Sequence, residues 1–171
     1  MAINVKGFKD SLLRSLPLII LIYVSISEFQ TQFYFWKIFS FNLQFILIYY
    51  WVLRDPSILG YGFIFLCGLI NDVVLSLNLG TSALSYLFVS LVAAYIRAAT
   101  VRSTLISDWF TFIIAIMGGN FITFILIKNF LEVGVNYTDF FYNSLFTFIL
   151  YPAFWTIFEL YKRGISLRIY D

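Results

Sequence analysis

The sequence predicts an all-α integral membrane protein, built as a single bundle of about six transmembrane helices. Composition is the first reason: 61% of the 171 residues are hydrophobic and 12% are charged, against about 45–50% and about 25% in a soluble domain. Length is the second, because a spanning helix needs about 20 apolar residues and the chain accommodates some six spans with short loops. The third is that lysine and arginine are concentrated in every second loop. The sequence therefore predicts one transmembrane domain that covers residues 1–171.

Six apolar segments define the expected spans. They cover residues 15–33, 40–53, 57–78, 81–97, 109–128 and 138–160. The second is the weakest, since its strongly apolar part runs only from Phe41 to Leu53. It is expected to tilt, to thin the bilayer, or to form a re-entrant pair with the end of the first. The expected number of spans is therefore six, with five as the alternative.

Residues typical of helix ends lie between the segments. Asp55 followed by Pro56 is typical of a helix N-terminus and is expected to open the third helix. Residues 78–82 have the sequence Asn-Leu-Gly-Thr-Ser, which predicts a glycine-terminated helix, a tight turn and a new cap. Ser107 and Asp108 are expected to cap the fifth helix. These patterns predict helical hairpins.

Orientation follows from the loops that carry lysine and arginine, because cytoplasmic loops retain positive charge. With the N-terminus in the cytoplasm, only Lys37 and Lys128 of the 11 basic residues fall outside. The remainder lie on the cytoplasmic side: Lys6, Lys9, Arg14, Arg54, Arg97, Arg102, Lys162, Arg163 and Arg168. The predicted topology has both termini in the cytoplasm. The net charge of +2 is too small to predict nucleic acid as a partner.

The first segment has a second interpretation. A basic start, an apolar run from Leu16 to Ile26, and the small residues Ser25 and Ser27 are also typical of a cleavable signal peptide. Cleavage would leave five spans with the same loop orientations. The charge pattern is compatible with both interpretations.

Asp72 is the most informative polar residue within a predicted span, because an ionised aspartate near a helix centre costs roughly 2.5–3.5 kcal/mol. It follows Asn71 and shares a helical face with Gly68, four residues earlier. This spacing favours close approach of a neighbouring helix that donates hydrogen bonds to Asp72. A structural role is one hypothesis, and a proton or ion site is the other. The structural hypothesis predicts that Asp72→Asn preserves much of the packing and that Gly68→Leu disrupts it.

The fifth and sixth spans contain residues that weaken a helix. Gly118 and Gly119 lie in the middle of the fifth span and are followed by Asn120. They indicate either a packing notch, with Asn120 bonding across helices, or a broken helix of the kind that lines transporter sites. Pro152, early in the sixth span, predicts a bend.

Enzymatic function is not expected. The chain has no histidine and one cysteine, Cys67, which removes the commonest general base and any internal disulfide. No phosphate-binding glycine loop, paired metal-ligand acids or nucleophile motif is present. Glu159 is expected to pair locally with Lys162 or Arg163. Neither a catalytic residue, a cofactor nor a metal site is therefore predicted.

The region around the third span resembles the rod shape-determining protein MreD family. The family pattern has Tyr-Trp, then a basic residue close to proline, then Gly-Leu-x-x-Asp, then Leu-Gly with Ala-Leu following. The matching segments, in the same order and spacing, are YWVLRDP at 50–56, FLCGLIND at 65–72 and NLGTSAL at 78–84. The carried-over positions are Pro56, Gly68, Asp72, Leu79 and Gly80.

The resemblance implies a non-enzymatic scaffold in the bacterial inner membrane that belongs to the cell-elongation machinery. It implies direct binding to the bitopic protein MreC. Through MreC it implies a link to the MreB filament and to the peptidoglycan synthases, namely RodA and its class B transpeptidase. It also implies a bundle similar to the membrane substrate-binding subunits of energy-coupling factor transporters.

The main alternative is a small transporter, or a substrate-binding transporter subunit for a vitamin-like solute. This alternative requires a polar pocket, for which Asn71, Asp72 and Asn120 are the candidates. A scaffold predicts a stable protein complex, whereas a transporter subunit predicts a bound small molecule.

Overall fold

The computed structural model describes residues 5–27, 41–100, 104–130 and 137–170, and within these ranges the regular secondary structure is all α-helix, joined by short turns. The helices are α1 (Val5–Ile26), α2 (Leu43–Arg54), α3 (Tyr61–Val74), α4 (Thr81–Ala99), α5 (Leu105–Phe130) and α6 (Tyr137–Tyr170). The predicted end of the first span at 28–33, together with Lys37 and Arg102, lies outside the described residues.

Three helical segments are long and apolar enough to cross a membrane: Thr81–Ala99, Leu105–Asn129 and Phe140–Gly164. They indicate a membrane protein. The other apolar segments, Ser15–Ile26, Leu43–Arg54 and Tyr61–Val74, are shorter. At 1.5 Å per residue, α2 is about 18 Å long, whereas the hydrocarbon core is about 30 Å thick. Among the described residues, three of the six expected spans therefore meet the length requirement.

The short helix α2 lies in the centre of the bundle. It packs against α4 above all, and also against α1, α5 and α6. Every residue from Phe45 to Leu53 is buried. A helix that is apolar on all sides is typical of such an enclosed position. The segment that looked weakest as a span is thus the core helix, and its length is below the thickness of the hydrocarbon core.

Helix α5 presents an apolar stripe to the outside. Its members recur every three or four residues, which places them on one helical face. They are Ile106, Phe110, Ile114, Met117, Phe121 and Ile125, and all are exposed. In water such a surface would be unfavourable, whereas lipid tails solvate it.

The segment between α2 and α3 is a turn rather than a helix start. Asp55 accepts a hydrogen bond from the Ser57 hydroxyl at 2.5 Å, and Pro56 lies in the turn that follows. Helix α3 begins only at Tyr61, after Gly60 at its N-cap. The prediction that Asp55 and Pro56 open the third helix is wrong, because the side chain of Asp55 bonds within its own turn.

Candidate functional site

Asp72 lies at the junction of α3 and α4, with its side chain fully buried. Its Oδ2 accepts a hydrogen bond from the Gly80 backbone N–H at 2.8 Å. Its Oδ1 accepts one from the Ser82 backbone N–H at 2.6 Å. The first N–H groups of a helix have no partner within the helix, and the dipole favours negative charge there. Asp72 of α3 therefore caps the N-terminus of α4.

The turn before α4 explains why this cap comes from another helix. Gly80 occupies the N-cap position with φ of +102°, a left-handed conformation that suits glycine, and it has no side chain to offer as a cap. Asn71, adjacent to Asp72, donates from Nδ2 to the Ser82 hydroxyl at 2.9 Å. Leu79 is exposed in the same turn. The three polar contacts of this corner hold the end of α3 against the start of α4.

Gly68 allows α3 and α4 to touch at their backbones. A Cβ on Gly68 would lie 2.7 Å from the Ala83 backbone nitrogen and closer still to the Ala83 Cα. A helix crossing this tight requires glycine. Gly68 and Asp72, one helical turn apart, thus act on the same neighbour: one admits the approach of α4 and the other binds its N-terminus.

Gly118 and Gly119 form a packing notch in a continuous helix. A Cβ on Gly118 would lie 2.5 Å from Cζ of the Phe88 ring, and one on Gly119 would lie 2.8 Å from Cε2 of Phe45. Both glycines lie inside α5, which is helical throughout this region. They make room for aromatic rings of α4 and α2. Asn120 beside them donates to the Ser144 hydroxyl of α6 at 2.6 Å.

Pro152 lies inside α6 and leaves one backbone carbonyl without its helical donor. Proline has no N–H, so the carbonyl four residues earlier, that of Phe148, loses its usual partner. The indole N–H of Trp109 in α5 donates to the Phe148 carbonyl at 2.9 Å. The Trp109 and Phe148 rings also stack, with centroids 5.0 Å apart. Trp109 therefore satisfies the backbone at the proline and joins α5 to α6.

A buried ion pair at the opposite end of the bundle was not predicted. Arg54, the last residue of α2, lies with Nη2 3.1 Å from Oδ2 of Asp108, whose side chain is 1% exposed. Trp155 of α6 donates from Nε1 to the same oxygen at 3.3 Å, and the Arg54 guanidinium lies over the Trp155 ring. We call these three residues the Asp108 junction. It connects α2, α5 and α6.

Sequence reasoning had given both charged residues simpler roles. Arg54 was predicted to lie in a cytoplasmic loop, and Asp108 was predicted to cap the fifth helix. The structure instead places Thr104 before α5, where its hydroxyl oxygen accepts from the Ser107 N–H at 3.4 Å. The one available signal was that Arg54 and Asp108 lie at the same predicted membrane face. By contrast, the predicted pairing of Glu159 with Arg163 is confirmed at 3.6 Å.

A polar cavity of about 300 Å³ lies at the end of the bundle where α2, α4 and α6 begin. We call it the amide cavity. Its polar lining consists of Asn42, Gln44, Asn71, Ser82, Ser85, Tyr86, Asn120, Thr123 and Asn143. Two of the three predicted pocket residues, Asn71 and Asn120, are thus brought together, although 49 positions separate them in the sequence. The third, Asp72, is committed to the start of α4 instead.

The remaining predicted residues lie apart from this cavity. Pro56 is in the turn after α2, at the end of the bundle that holds the Asp108 junction. Pro152 lies near the middle of α6. Comparisons with protein families, with curated proteins and with solved structures find no match.

Proposed function

We propose that this chain is a non-enzymatic scaffold of the bacterial inner membrane, similar to MreD, with both termini in the cytoplasm. In this proposal it binds the bitopic protein MreC by packing of transmembrane helices. Through MreC it is linked to MreB, RodA and the class B transpeptidase, and so to cell shape. The support is the sequence pattern at residues 50–84, together with the bundle into which that pattern folds.

The observation that carries the proposal is the position of Asp72. This residue is the strongest candidate for a proton or ion site, yet each of its carboxylate oxygens accepts a backbone N–H. An acid held in this way specifies one arrangement of two helices. Gly68 and Gly80, which also carry the resemblance, serve the same corner. A rigid bundle that presents fixed outer faces is what a scaffold for partner helices requires.

The experiment is co-purification from the native membrane of the host. The chain carries a C-terminal tag, the membrane is solubilised in mild detergent, and mass spectrometry identifies what is recovered. Gly68→Leu is the disruptive variant, because its side chain meets the Ala83 backbone. Gly62→Leu is the matched control, because Gly62 lies in the same helix with nothing near its Cβ position.

The expected result is recovery of MreC with the wild type and with Gly62→Leu, and reduced recovery with Gly68→Leu. Recovery of an ATPase pair without MreC would contradict the scaffold and favour the solute-transporter alternative. Equal recovery of MreC with both glycine variants would contradict the role given to the α3–α4 corner.

A further inference from the structure

The described lining of the amide cavity is polar and carries no formal charge. None of the described residues that line it is an aspartate, glutamate, lysine or arginine. Asp72, the acid next to Asn71 in the sequence, already accepts hydrogen bonds from two backbone N–H groups. A cavity of about 300 Å³ lies at the lower end of ligand sites, which span roughly 300–1,000 Å³. These properties fit a small, uncharged ligand about the size of a single ring.

Three amide side chains in the lining retain hydrogen-bonding capacity. Within the described residues, Asn71 and Asn120 each use one amide N–H, on Ser82 and Ser144 respectively. Gln44 uses one N–H on the Val24 carbonyl at 3.2 Å. Each amide has two donors and a carbonyl acceptor, so each keeps one donor and its acceptor. Paired donors and acceptors of this kind match a ligand with several hydroxyl groups, since each hydroxyl both donates and accepts.

Tyr86 adds a hydroxyl to this set. Its side chain is 3% exposed, lines the cavity, and makes no hydrogen bond to any described residue. The Tyr86 hydroxyl can therefore both donate to and accept from a ligand in the cavity. The Tyr86 ring meets Phe45 edge to face, with centroids 5.9 Å apart. Phe45 also lines the cavity, so the two rings offer an apolar surface beside the polar groups.

We infer that the amide cavity is a binding site for a neutral sugar ring, with the hydroxyls on Gln44, Asn71, Asn120 and Tyr86 and the apolar face of the ring against Phe45 and Tyr86. A neutral ligand fits, because the described lining residues carry no formal charge. The same chemistry arises from two sources, a free sugar or the headgroup of a glycolipid. This inference goes beyond the proposed scaffold function: a free sugar as ligand would also favour the transporter alternative, whereas a glycolipid headgroup would not.

The test uses protein purified in a polyoxyethylene detergent, since alkyl glycoside detergents carry the proposed ligand themselves. The free-sugar probes are the methyl glycosides of glucose, galactose, mannose and N-acetylglucosamine. The headgroup probes are the octyl glycosides of the same sugars, held below their critical micelle concentrations. Glucuronate is the charged control. Native mass spectrometry counts bound probe, and titration gives the dissociation constant.

Three variants make the result specific to the cavity. Tyr86→Phe removes only the unpartnered hydroxyl and is expected to weaken binding about tenfold. Leu77→Trp fills the cavity from its lining and is expected to abolish binding. Tyr95→Phe is the matched control, because Tyr95 lies on the same helix, is 70% exposed and does not line the cavity; its affinity should equal that of the wild type. Thermal unfolding of each variant checks that it is folded.

Saturable binding of one methyl glycoside per chain, lost in Leu77→Trp, would support the inference with a free sugar as ligand. Binding of octyl glycosides alone, with the same variant pattern, would support it with a glycolipid headgroup. Absence of binding by all eight glycosides would overturn it. Equal binding of glucuronate, or binding that Tyr86→Phe and Leu77→Trp leave unchanged, would overturn it as well.

Discussion

Substitution of Gly68 by alanine tests the contact on which the α3–α4 corner depends. The added Cβ would lie 2.7 Å from the Ala83 nitrogen, whereas non-bonded carbon contacts are optimal at about 3.5–4.0 Å. The two helices must therefore separate by roughly 1 Å. Overpacking of this kind costs about 1–3 kcal/mol. It also stretches the two hydrogen bonds that Asp72 makes one turn further along.

The net effect can be set against the intrinsic preference of alanine for helices. Weakening of the two hydrogen bonds to the Asp72 carboxylate increases the destabilisation by about 2 kcal/mol. Replacement of glycine by alanine within a helix offsets about 1 kcal/mol of it. Gly68→Ala is therefore expected to lower the free energy of unfolding by about 3 kcal/mol. Gly62→Ala, in open space on the same helix, is expected to leave it unchanged or to raise it by up to about 1 kcal/mol.

Equilibrium unfolding in mixed micelles, followed by tryptophan fluorescence, measures both variants. Adding Ala83→Gly to Gly68→Ala is expected to give little rescue, because the nearest atoms to the new Cβ belong to the Ala83 backbone. A Gly68→Ala protein as stable as Gly62→Ala would refute the reasoning. Full rescue by Ala83→Gly would show that the contact involves side chains instead.

Three further changes have defined outcomes in the same unfolding assay. Asp72→Asn is expected to cost about 2 kcal/mol or more, because asparagine has one acceptor where two backbone N–H groups need one each; a neutral effect would show that one acceptor suffices. Asp108→Leu or Arg54→Met alone is expected to cost about 3 kcal/mol or more, and the two together less than the sum of the two single costs; additive costs would contradict the Asp108 junction. Trp109→Phe is expected to cost about 1–3 kcal/mol, and less when Pro152→Ala restores the backbone donor to Phe148; equal costs in both backgrounds would contradict the assigned partnership.

The geometry of Asp72 changes one expectation drawn from the sequence. A single hydrogen-bonded buttress would tolerate asparagine, whereas the observed carboxylate uses both oxygens. Sequence spacing placed Gly68 and Asp72 on one face and predicted a close neighbour, because that inference needs only helical periodicity. It did not identify the neighbour's N-terminus as the partner, since this depends on where α4 begins in space.

Composition and hydropathy were sufficient to predict an all-helical membrane protein, because solvation by lipid acts on the whole sequence at once. They were insufficient to distinguish a span from an enclosed helix. The segment Leu43–Arg54 is apolar on every side because protein surrounds it. Its short length, 12 residues, was the one feature that favoured an enclosed helix over a transmembrane span.

The polar contacts between distant helices had the weakest sequence signals. Arg54 and Asp108 each have a local explanation, and only their spatial meeting shows the ion pair. Asn71 and Asn120 were singled out as polar residues within spans, but most of the residues that form the amide cavity with them come from the starts of α2, α4 and α6 and from the turn between α3 and α4. Tyr86 carries no sequence signal at all, since a tyrosine in a span is most often a packing residue.

The central claim, that the chain binds MreC by transmembrane helix packing, is tested most directly with two purified components. The chain is mixed in detergent with MreC from the same host, reduced to its transmembrane helix and a short flank, and complex formation is measured by native mass spectrometry. A matched MreC version carries an unrelated transmembrane helix of the same length. The account predicts a stable complex with the native helix and none with the replaced one. Failure of the native helix to bind, or equal binding of both helices, would contradict it.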